Sequence, residues 1–180
     1  PVARLYMRKM VGHLVLDAES DALNKILDKA AESGEQLNLN LLGEAVLGEE
    51  EAKSRAQRTL KLIQNPRVTY VSVKASSMVA QLNHWDIDGS VERLKERLRP
   101  LYQAAADRTD KVFINMDMEE YHDLHLTIRL FKELLSEPEF LTLDAGIVLQ
   151  AYLPDTFDAL KDVADFAKER VAKGLSLIHI

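Results

Sequence analysis

Four polar residues each occur at the C-terminal end of a short apolar run of the sequence. They are Glu44, Lys74, Asp117 and Gln150. Two carboxylates, an ammonium group and an amide, if brought together, can bind and orient a small polar molecule. Taken singly, the charged members have simpler explanations, as a helix start, a solvated strand end or a helix cap. Gln150 lies in an apolar segment, where an unbonded amide is costly. Their recurrence at equivalent positions favours a functional site.

The runs that precede these side chains are typical of buried strands, because they are short and bounded by turn or charge signals. They cover residues 37–42, 68–73, 112–116 and 146–151. Amphipathic stretches with a helical period separate the runs. These stretches cover residues 49–64, 91–102, 122–135 and 156–173, and a further helix is predicted after Ser20. The last stretch places Phe157, Leu160, Ala164, Ala167 and Val171 on its apolar stripe.

The alternation of strand and helix predicts an α/β fold with parallel strands joined by helical crossovers. An open doubly wound sheet is disfavoured, because residues 43–48 lack the spacing of a Gly-rich dinucleotide fingerprint. A full (β/α)8 barrel needs about 250 residues. We therefore predict a partial (β/α)8 TIM-type barrel of about four strand–helix units over residues 37–174, after an N-terminal helical lead-in over residues 1–36.

The two ends of the chain differ from those of an ordinary gene product. Residues 175–180 resemble the translation of a transposase adapter used in sequencing libraries, and the chain begins at Pro1 without an initiator Met. We expect the tail to be adapter-derived and the chain to be a piece of a longer protein.

Composition excludes several kinds of site. The 180 residues include no cysteine, which removes disulfides, thiolate metal sites and cysteine catalysis. A net charge of −6 argues against nucleic acid as the main partner. His122 and His125 have a spacing that metal sites use, but no carboxylate motif accompanies them, and His84 stands alone in the sequence. We predict no metal site.

Taken together, four strand-end segments resemble those of the proline dehydrogenase family, in the family's order. They are NLLGEAV (40–46), VSVKAS (71–76), NMDMEEY (115–121) and QAYL (150–153). The resemblance extends over residues 11–173. It implies a distorted (β/α)8 barrel that holds FAD and oxidises L-proline to Δ1-pyrroline-5-carboxylate, with hydride passing from proline C5 to flavin N5.

The same resemblance implies a role for each matching residue. Gln150 corresponds to a glutamine that hydrogen-bonds the flavin ring edge, and Lys74 to a lysine near the flavin and the proline carboxylate. Asp117 corresponds to an active-site aspartate that organises neighbouring polar groups. Glu44 corresponds to a glutamate that pairs with a substrate-site arginine and gates the pocket, and Tyr152 has a supporting role.

Later strands of the family supply flavin-phosphate contacts, a substrate-stacking tyrosine and two arginines that clamp the carboxylate, and nothing after Gly174 matches them. We therefore expect the 180-residue chain alone to bind FAD poorly and to be nearly inactive. For the parent, the resemblance implies a quinone acceptor and a cytoplasmic location, peripheral on the inner face of the cell membrane. Whether the parent also carries a fused aldehyde dehydrogenase is not decided by the sequence. Two alternative functions also remain: an aldolase-like barrel enzyme with Lys74 as Schiff-base amine, and a non-catalytic interaction module.

Overall fold

The computed structural model describes residues 6–7, 10–11, 21–41, 46–176 and 178–179. The chain divides into two compact units, Pro1–Leu37 and Asn38–Ile180. The first unit contains helix α1 (Asp21–Glu32), whose buried side chains include Leu23, Leu27 and Ala30. Their spacing of four and three residues forms one helical stripe.

The second unit alternates strands and helices. Its strands are β1 (Leu39–Asn40), β2 (Tyr70–Lys74), β3 (Phe113–Asp117), β4 (Ala145–Ile147) and β5 (Ile178–His179). Its helices are α2 (Glu49–Gln64), α3 (Ile87–Ala106), α4 (Leu124–Leu135) and α5 (Thr156–Ala172). Among the residues that the structure describes, no helix is both long enough and apolar enough to cross a bilayer.

The five strands form one parallel sheet in the order β1-β2-β3-β4-β5. Helices α2 and α3 contact each other, as do α3 and α4, and α4 and α5. A doubly wound sheet would reverse its strand order and place helices on both faces. Sequential strands backed by adjacent helices are instead the wall of a (β/α)8 barrel, which confirms the predicted fold class.

The two faces of this sheet have opposite chemistry. Val71, Val73, Ile114 and Met116 are almost fully buried and form the apolar face, which the helices cover. Because side chains alternate along a strand, the residues between them lie on the other side, here called the inner face. The inner face carries aromatic and polar groups, and they are Tyr70, Ser72, Lys74, Phe113, Asn115 and Asp117.

Side chains of the inner face contact one another across the strands. Asn38 and Asn115 each donate a hydrogen bond to Ser72 Oγ, at 2.9 and 3.3 Å. The rings of Tyr70 and Phe113 meet edge to face at 4.9 Å between centroids. On β4 the equivalent position is Gly146, where a Cβ would lie 2.7 Å from the Phe113 ring and 2.8 Å from Asn115 Oδ1. Glycine therefore lets the neighbouring side chains approach the β4 backbone.

At the opposite end of the sheet, Arg108 joins the end of α2 to the start of β2. Its guanidinium donates to the backbone carbonyls of Ile63, Asn65 and Val68 at 2.7, 3.1 and 2.8 Å. Helix carbonyls lack partners in the last turn, so the arginine satisfies groups that would otherwise be costly to bury. Arg170 does the same at the end of α4, where it donates to Leu135 O.

The predicted elements agree with the structure, with differences at their ends. Helix α2 has the predicted bounds, and the predicted stripes of α3 and α4 are buried, as with Leu94, Leu98 and Phe131. The first strand is shorter than predicted, because pairing with β2 ends at Asn40. The predicted tail, 175–180, contains β5, which pairs with β4. Its origin from an adapter stays a prediction.

The predicted apolar stripe of α5 is wrong for its large side chains, although its members Ala164 and Ala167 are half-buried. Phe157, Leu160 and Val171 are exposed, whereas Ala159 and Val163 are buried. Both sets have helical spacing, so periodicity alone cannot choose between them. The smaller side chains occupy the packed face, and Lys161 lies over the exposed Phe157 ring at 4.1 Å from its centroid.

Candidate active site

The polar side chains of the sequence prediction lie at the carboxyl ends of neighbouring strands. Lys74 is the last residue of β2 and Asp117 the last of β3, and the two are paired in register. Gln150 lies in the loop that follows β4. Chemistry in (β/α)8 barrels is built at this end of the strands. We call the polar groups there the mouth cluster, and its members are Asn40, Lys74, Asp117, Glu119, Gln150 and Tyr152.

Asn40, the last residue of β1, reaches across β2 to Asp117. Its Nδ2 donates to Asp117 Oδ2 at 3.0 Å. Asn40 is in register with Ser72, two residues before Lys74, so its side chain lies on the inner face with Ser72 and Lys74. The contact fixes one oxygen of the aspartate and ties three strands together at this edge.

Lys74 forms an ion pair with Glu119, two residues beyond the end of β3. The lysine side chain is 14% exposed and that of the glutamate is 37% exposed. A pair this sheltered interacts more strongly than an ordinary surface pair, because less water screens the charges. The ion pair therefore restrains both the lysine and the loop that carries Glu119.

Gln150 connects the loop after β4 to the same group of residues. Its Nε2 donates to the backbone carbonyl of Glu119 at 2.9 Å and to Tyr152 Oη at 2.8 Å. A backbone carbonyl oxygen can only accept a hydrogen bond. The side-chain atom that contacts it must therefore be the amide nitrogen of Gln150. Gln150 Oε1 is buried, and among the described residues it has no hydrogen-bond partner.

The pKa of Asp117 is raised above the ordinary aspartate value of 3.8. Burial is the main cause, and the nearby Glu119 charge adds to it. Lys74, the Asn40 amide and the Met118 backbone act in the opposite direction without cancelling the effect. Asp117 therefore holds a proton more readily than a solvated aspartate, as acid–base residues of active sites do.

The mouth cluster has more carboxyl groups than cations, so its charge does not favour binding of an anion. Lys74 supplies one positive charge, while Asp117 and Glu119 supply two carboxyl groups. By contrast, the unpartnered Oε1 of Gln150 suits a ligand with an N–H group. An isoalloxazine ring carries N–H and C=O groups on one edge, so an amide oxygen and an ammonium group are the kinds of group that the predicted FAD ring would need.

The structure brings together three of the four residues that the sequence singled out at strand ends. Lys74, Asp117 and Gln150 meet through Glu119 and Asn40, and Tyr152 accepts a hydrogen bond from Gln150. Glu44 lies outside the described residues, so its predicted gating role stays a prediction. The roles predicted for the other site residues are likewise untested by these contacts.

Sequence reasoning missed Asn40 and Glu119. Both lie on the alternation that was available in the sequence, since Asn40 follows Asn38 by two residues and Glu119 follows Asp117 by two. The first apolar run continues to Leu42, so the sequence predicts Glu44 near the strand end.

The expectation that His84 stands alone is wrong. His84 Nε2 lies 2.6 Å from Asp123 Oδ1, and the rings of His84 and His122 meet edge to face at 4.5 Å between centroids. The cause is topological. His84 lies in the loop after β2 and Asp123 in the loop after β3, and adjacent parallel strands bring these loops together.

Comparisons with known proteins agree on one family. The family model described as "Proline dehydrogenase" matches residues 22–177. The "Bifunctional protein PutA" of Klebsiella aerogenes and that of Escherichia coli are each 29% identical over 157 residues, covering 79% of this chain and 12% of the relative. The chain thus spans about one-eighth of the length of these curated relatives.

Solved structures give the same answer for the fold. Proline Utilization A from Corynebacterium freiburgense is 65% identical, with a TM-score of 0.91, over 96% of this chain and 18% of that chain. The protein of the same name from Bdellovibrio bacteriovorus, inactivated by N-propargylglycine, is 34% identical, with a TM-score of 0.73, over 81% of this chain and 17% of that one. Since the family model matches most of the sequence, the chain belongs to the proline dehydrogenase family.

Proposed function

We propose that this chain forms the first part of a flavin-dependent active site that oxidises L-proline to Δ1-pyrroline-5-carboxylate in proline catabolism. One observation carries the proposal. Lys74, Asp117 and Gln150, from three successive strand ends, form one cluster through Glu119. Membership of the proline dehydrogenase family supports the same reaction.

FAD, when bound, would supply the redox chemistry by accepting at N5 the hydride that leaves C5 of proline. The chain's own residues would bind and orient. Gln150 would offer its unpartnered Oε1 to an N–H of the ring edge, while its Nε2 stays bonded to Glu119 O. Lys74 would place a cation beside the ring, held there by Glu119. Asp117 would organise the neighbouring polar groups through Asn40.

The charge of the mouth cluster bears on substrate binding. Lys74 already faces the Glu119 carboxylate and lies near Asp117. Within the described residues of the mouth cluster there is thus no surplus cation for the proline carboxylate. We therefore propose that the 180-residue chain alone binds FAD poorly and oxidises proline barely or not at all, and that further cations of the parent complete the site. A purified chain that is yellow and reduces a dye with proline would contradict this.

The test of the main proposal uses the full-length parent protein and its proline-dependent reduction of a dye. Lys74→Met should lower kcat/KM by about 100-fold, a loss typical of removing one aligned charged donor. Lys111→Met is the matched control, because Lys111 precedes β3 at the opposite end of the sheet and is mostly exposed. Equal activities for the two variants would overturn the assignment of the site.

Flavin binding gives a second readout of the same proposal. Gln150→Leu removes both polar atoms of the amide while keeping its approximate size, so it should shift the visible flavin spectrum and weaken FAD retention. A colourless parent protein that is trapped by borohydride with a carbonyl substrate would instead favour the aldolase-like alternative with Lys74 as Schiff-base amine. A Schiff-base lysine is activated by an apolar pocket or a neighbouring cation. Lys74 instead faces the Glu119 carboxylate, which disfavours the aldolase-like alternative.

The remaining properties of the parent are proposed from its relatives. The curated relatives are named bifunctional, and we propose that the parent likewise carries a fused aldehyde dehydrogenase. A quinone acceptor and a cytoplasmic location, peripheral on the inner face of the cell membrane, are proposed on the same basis. Cosedimentation with membrane vesicles after proline reduction of the parent would test the membrane contact.

A further inference from the structure

Two loops at the mouth of the sheet bring together three side chains that the proposed reaction does not use. They are His84, from the loop between β2 and α3, and His122 and Asp123, from the short 3-10 helix before α4. One possible ligand atom from each lies within 4.8 Å of the other two. We propose that these three residues form a binding site for a divalent transition-metal ion of the Zn²⁺ class.

The distances suit a tetrahedral ion. His84 Nε2 is 2.6 Å and His122 Nε2 is 3.9 Å from the same oxygen, Asp123 Oδ1. Zinc bonds of about 2.0–2.2 Å place two ligand atoms of a tetrahedron about 3.3 Å apart. The two measured distances lie on either side of that value, and all three ligand atoms lie within 4.8 Å of one another. Side-chain movements of about 1–2 Å therefore complete the geometry.

The ligand types select the class of metal. Two imidazoles and one carboxylate suit zinc, cobalt or nickel, whereas calcium and magnesium prefer oxygen ligands. Three protein ligands leave a fourth position for water or a small anion. At 3.9 Å, His122 Nε2 is too far from Asp123 Oδ1 for a hydrogen bond. A metal ion between the His122 imidazole and the Asp123 carboxylate would connect these two groups, which do not hydrogen-bond to each other directly.

The backbone around the cluster is already ordered, which lowers the conformational cost of binding. Asn83 N–H donates to Ser90 Oγ at 3.1 Å, and Ser90 Oγ–H donates to Asn83 O at 3.0 Å, which fixes the residue before His84. Asp123 N–H donates to Glu120 O at 3.1 Å. The Asp123 side chain is only 7% exposed, so its carboxylate is held in place while both imidazoles face solvent more openly.

Binding would connect the loops that follow β2 and β3, the strands that end at Lys74 and Asp117. None of its three ligands belongs to the mouth cluster. The inference therefore stands without the proposed oxidation of proline.

The experiment titrates Zn²⁺, and separately Co²⁺, into the purified chain after EDTA treatment and buffer exchange. Isothermal titration calorimetry should give one Zn²⁺ per chain, and bound Co²⁺ should develop the visible absorption of a site with nitrogen and oxygen ligands. His122→Ala should weaken binding by at least the roughly 10- to 100-fold that loss of a supporting group costs. His122 is 60% exposed, so its removal should leave the far-ultraviolet circular dichroism unchanged.

His125→Ala is the matched control, because His125 is an exposed histidine three residues along that is outside the cluster. His125→Ala should bind Zn²⁺ with the same affinity as the unsubstituted 180-residue chain. Asp123→Asn, which keeps the side-chain shape, should weaken binding as His122→Ala does. No Zn²⁺ binding, or equal affinities for His122→Ala and His125→Ala, would overturn the site.

Discussion

The ion pair between Lys74 and Glu119 gives a quantitative test of how the mouth cluster is held. The perturbations are Lys74→Met, Glu119→Gln and the double variant, which together isolate the pairwise term in the free energy of unfolding. Two opposite charges about 4 Å apart interact by about 4 kcal/mol at an effective dielectric constant of 20. Partial exposure of Glu119 and the ordering of a long lysine side chain, up to about 2 kcal/mol, offset part of that.

We therefore expect a coupling free energy of about 1–2 kcal/mol, above the 0–1 kcal/mol of exposed pairs. It lies below the 3–5 kcal/mol lost when a fully buried pair is broken. The two single variants should also differ. Without Lys74, the carboxylates of Asp117 and Glu119 face each other without a compensating cation, so Lys74→Met should destabilise the protein more than Glu119→Gln.

The assay is urea unfolding of all four proteins, followed by circular dichroism at one ionic strength. An NMR titration of Asp117 adds an independent readout, because Lys74 lowers and Glu119 raises the pKa of that carboxyl. Lys74→Met should raise the Asp117 pKa further, and Glu119→Gln should lower it. A coupling of zero, together with an Asp117 pKa that neither variant moves, would refute the electrostatic account of the cluster.

Three further predictions concern the surroundings of the site. Because burial raises the Asp117 pKa in the folded state, ionisation favours the unfolded chain, so Asp117→Asn should stabilise the protein at neutral pH. That gain should disappear in unfolding experiments below the ordinary aspartate pKa of 3.8. Gly146→Ala should destabilise the protein by about 1–3 kcal/mol through overpacking against Phe113, whereas Gly48→Ala, with no neighbour within 4 Å, should change the urea midpoint little. Arg108→Met should cost about 3 kcal/mol in thermal or urea unfolding, because the carbonyls of the buried residues Ile63 and Val68 lose this donor.

The helices of the barrel wall were predictable where only one apolar stripe fits. In α3, Val91, Leu94, Leu98 and Leu101 are all buried, as their spacing indicates. Helix α5 offers two stripes of similar spacing, and the sequence contains no local signal for the one that packs. Its outcome depends on the shape of the neighbouring α4 surface, which is a property of the fold and not of the segment.

Contacts between loops were the least predictable part of the site. His84 and Asp123 are 39 residues apart in the chain, and no local pattern relates them. They meet because β2 and β3 are parallel neighbours that end at the same level, Lys74 beside Asp117. A sequence can therefore indicate which strands exist while leaving open which loop residues come into contact.

The mouth cluster depends on strand register. Register explains which members of the cluster could be predicted from the sequence and which could not. Side chains alternate between the faces of a strand, so a slip of one residue in β2 would move Lys74 to the helix-covered face. Apolar alternation at Val71 and Val73 excludes that slip and so made Lys74 and Asp117 identifiable from sequence. Among the described residues of this segment, Leu39 and Asn40 pair with β2. The apolar run of the sequence continues to Leu42, so alternation does not specify where the strand ends. Alternation from Asn38 places Asn40 on the inner face, but it is the three-dimensional structure that shows Asn40 bonding to Asp117 across an intervening strand.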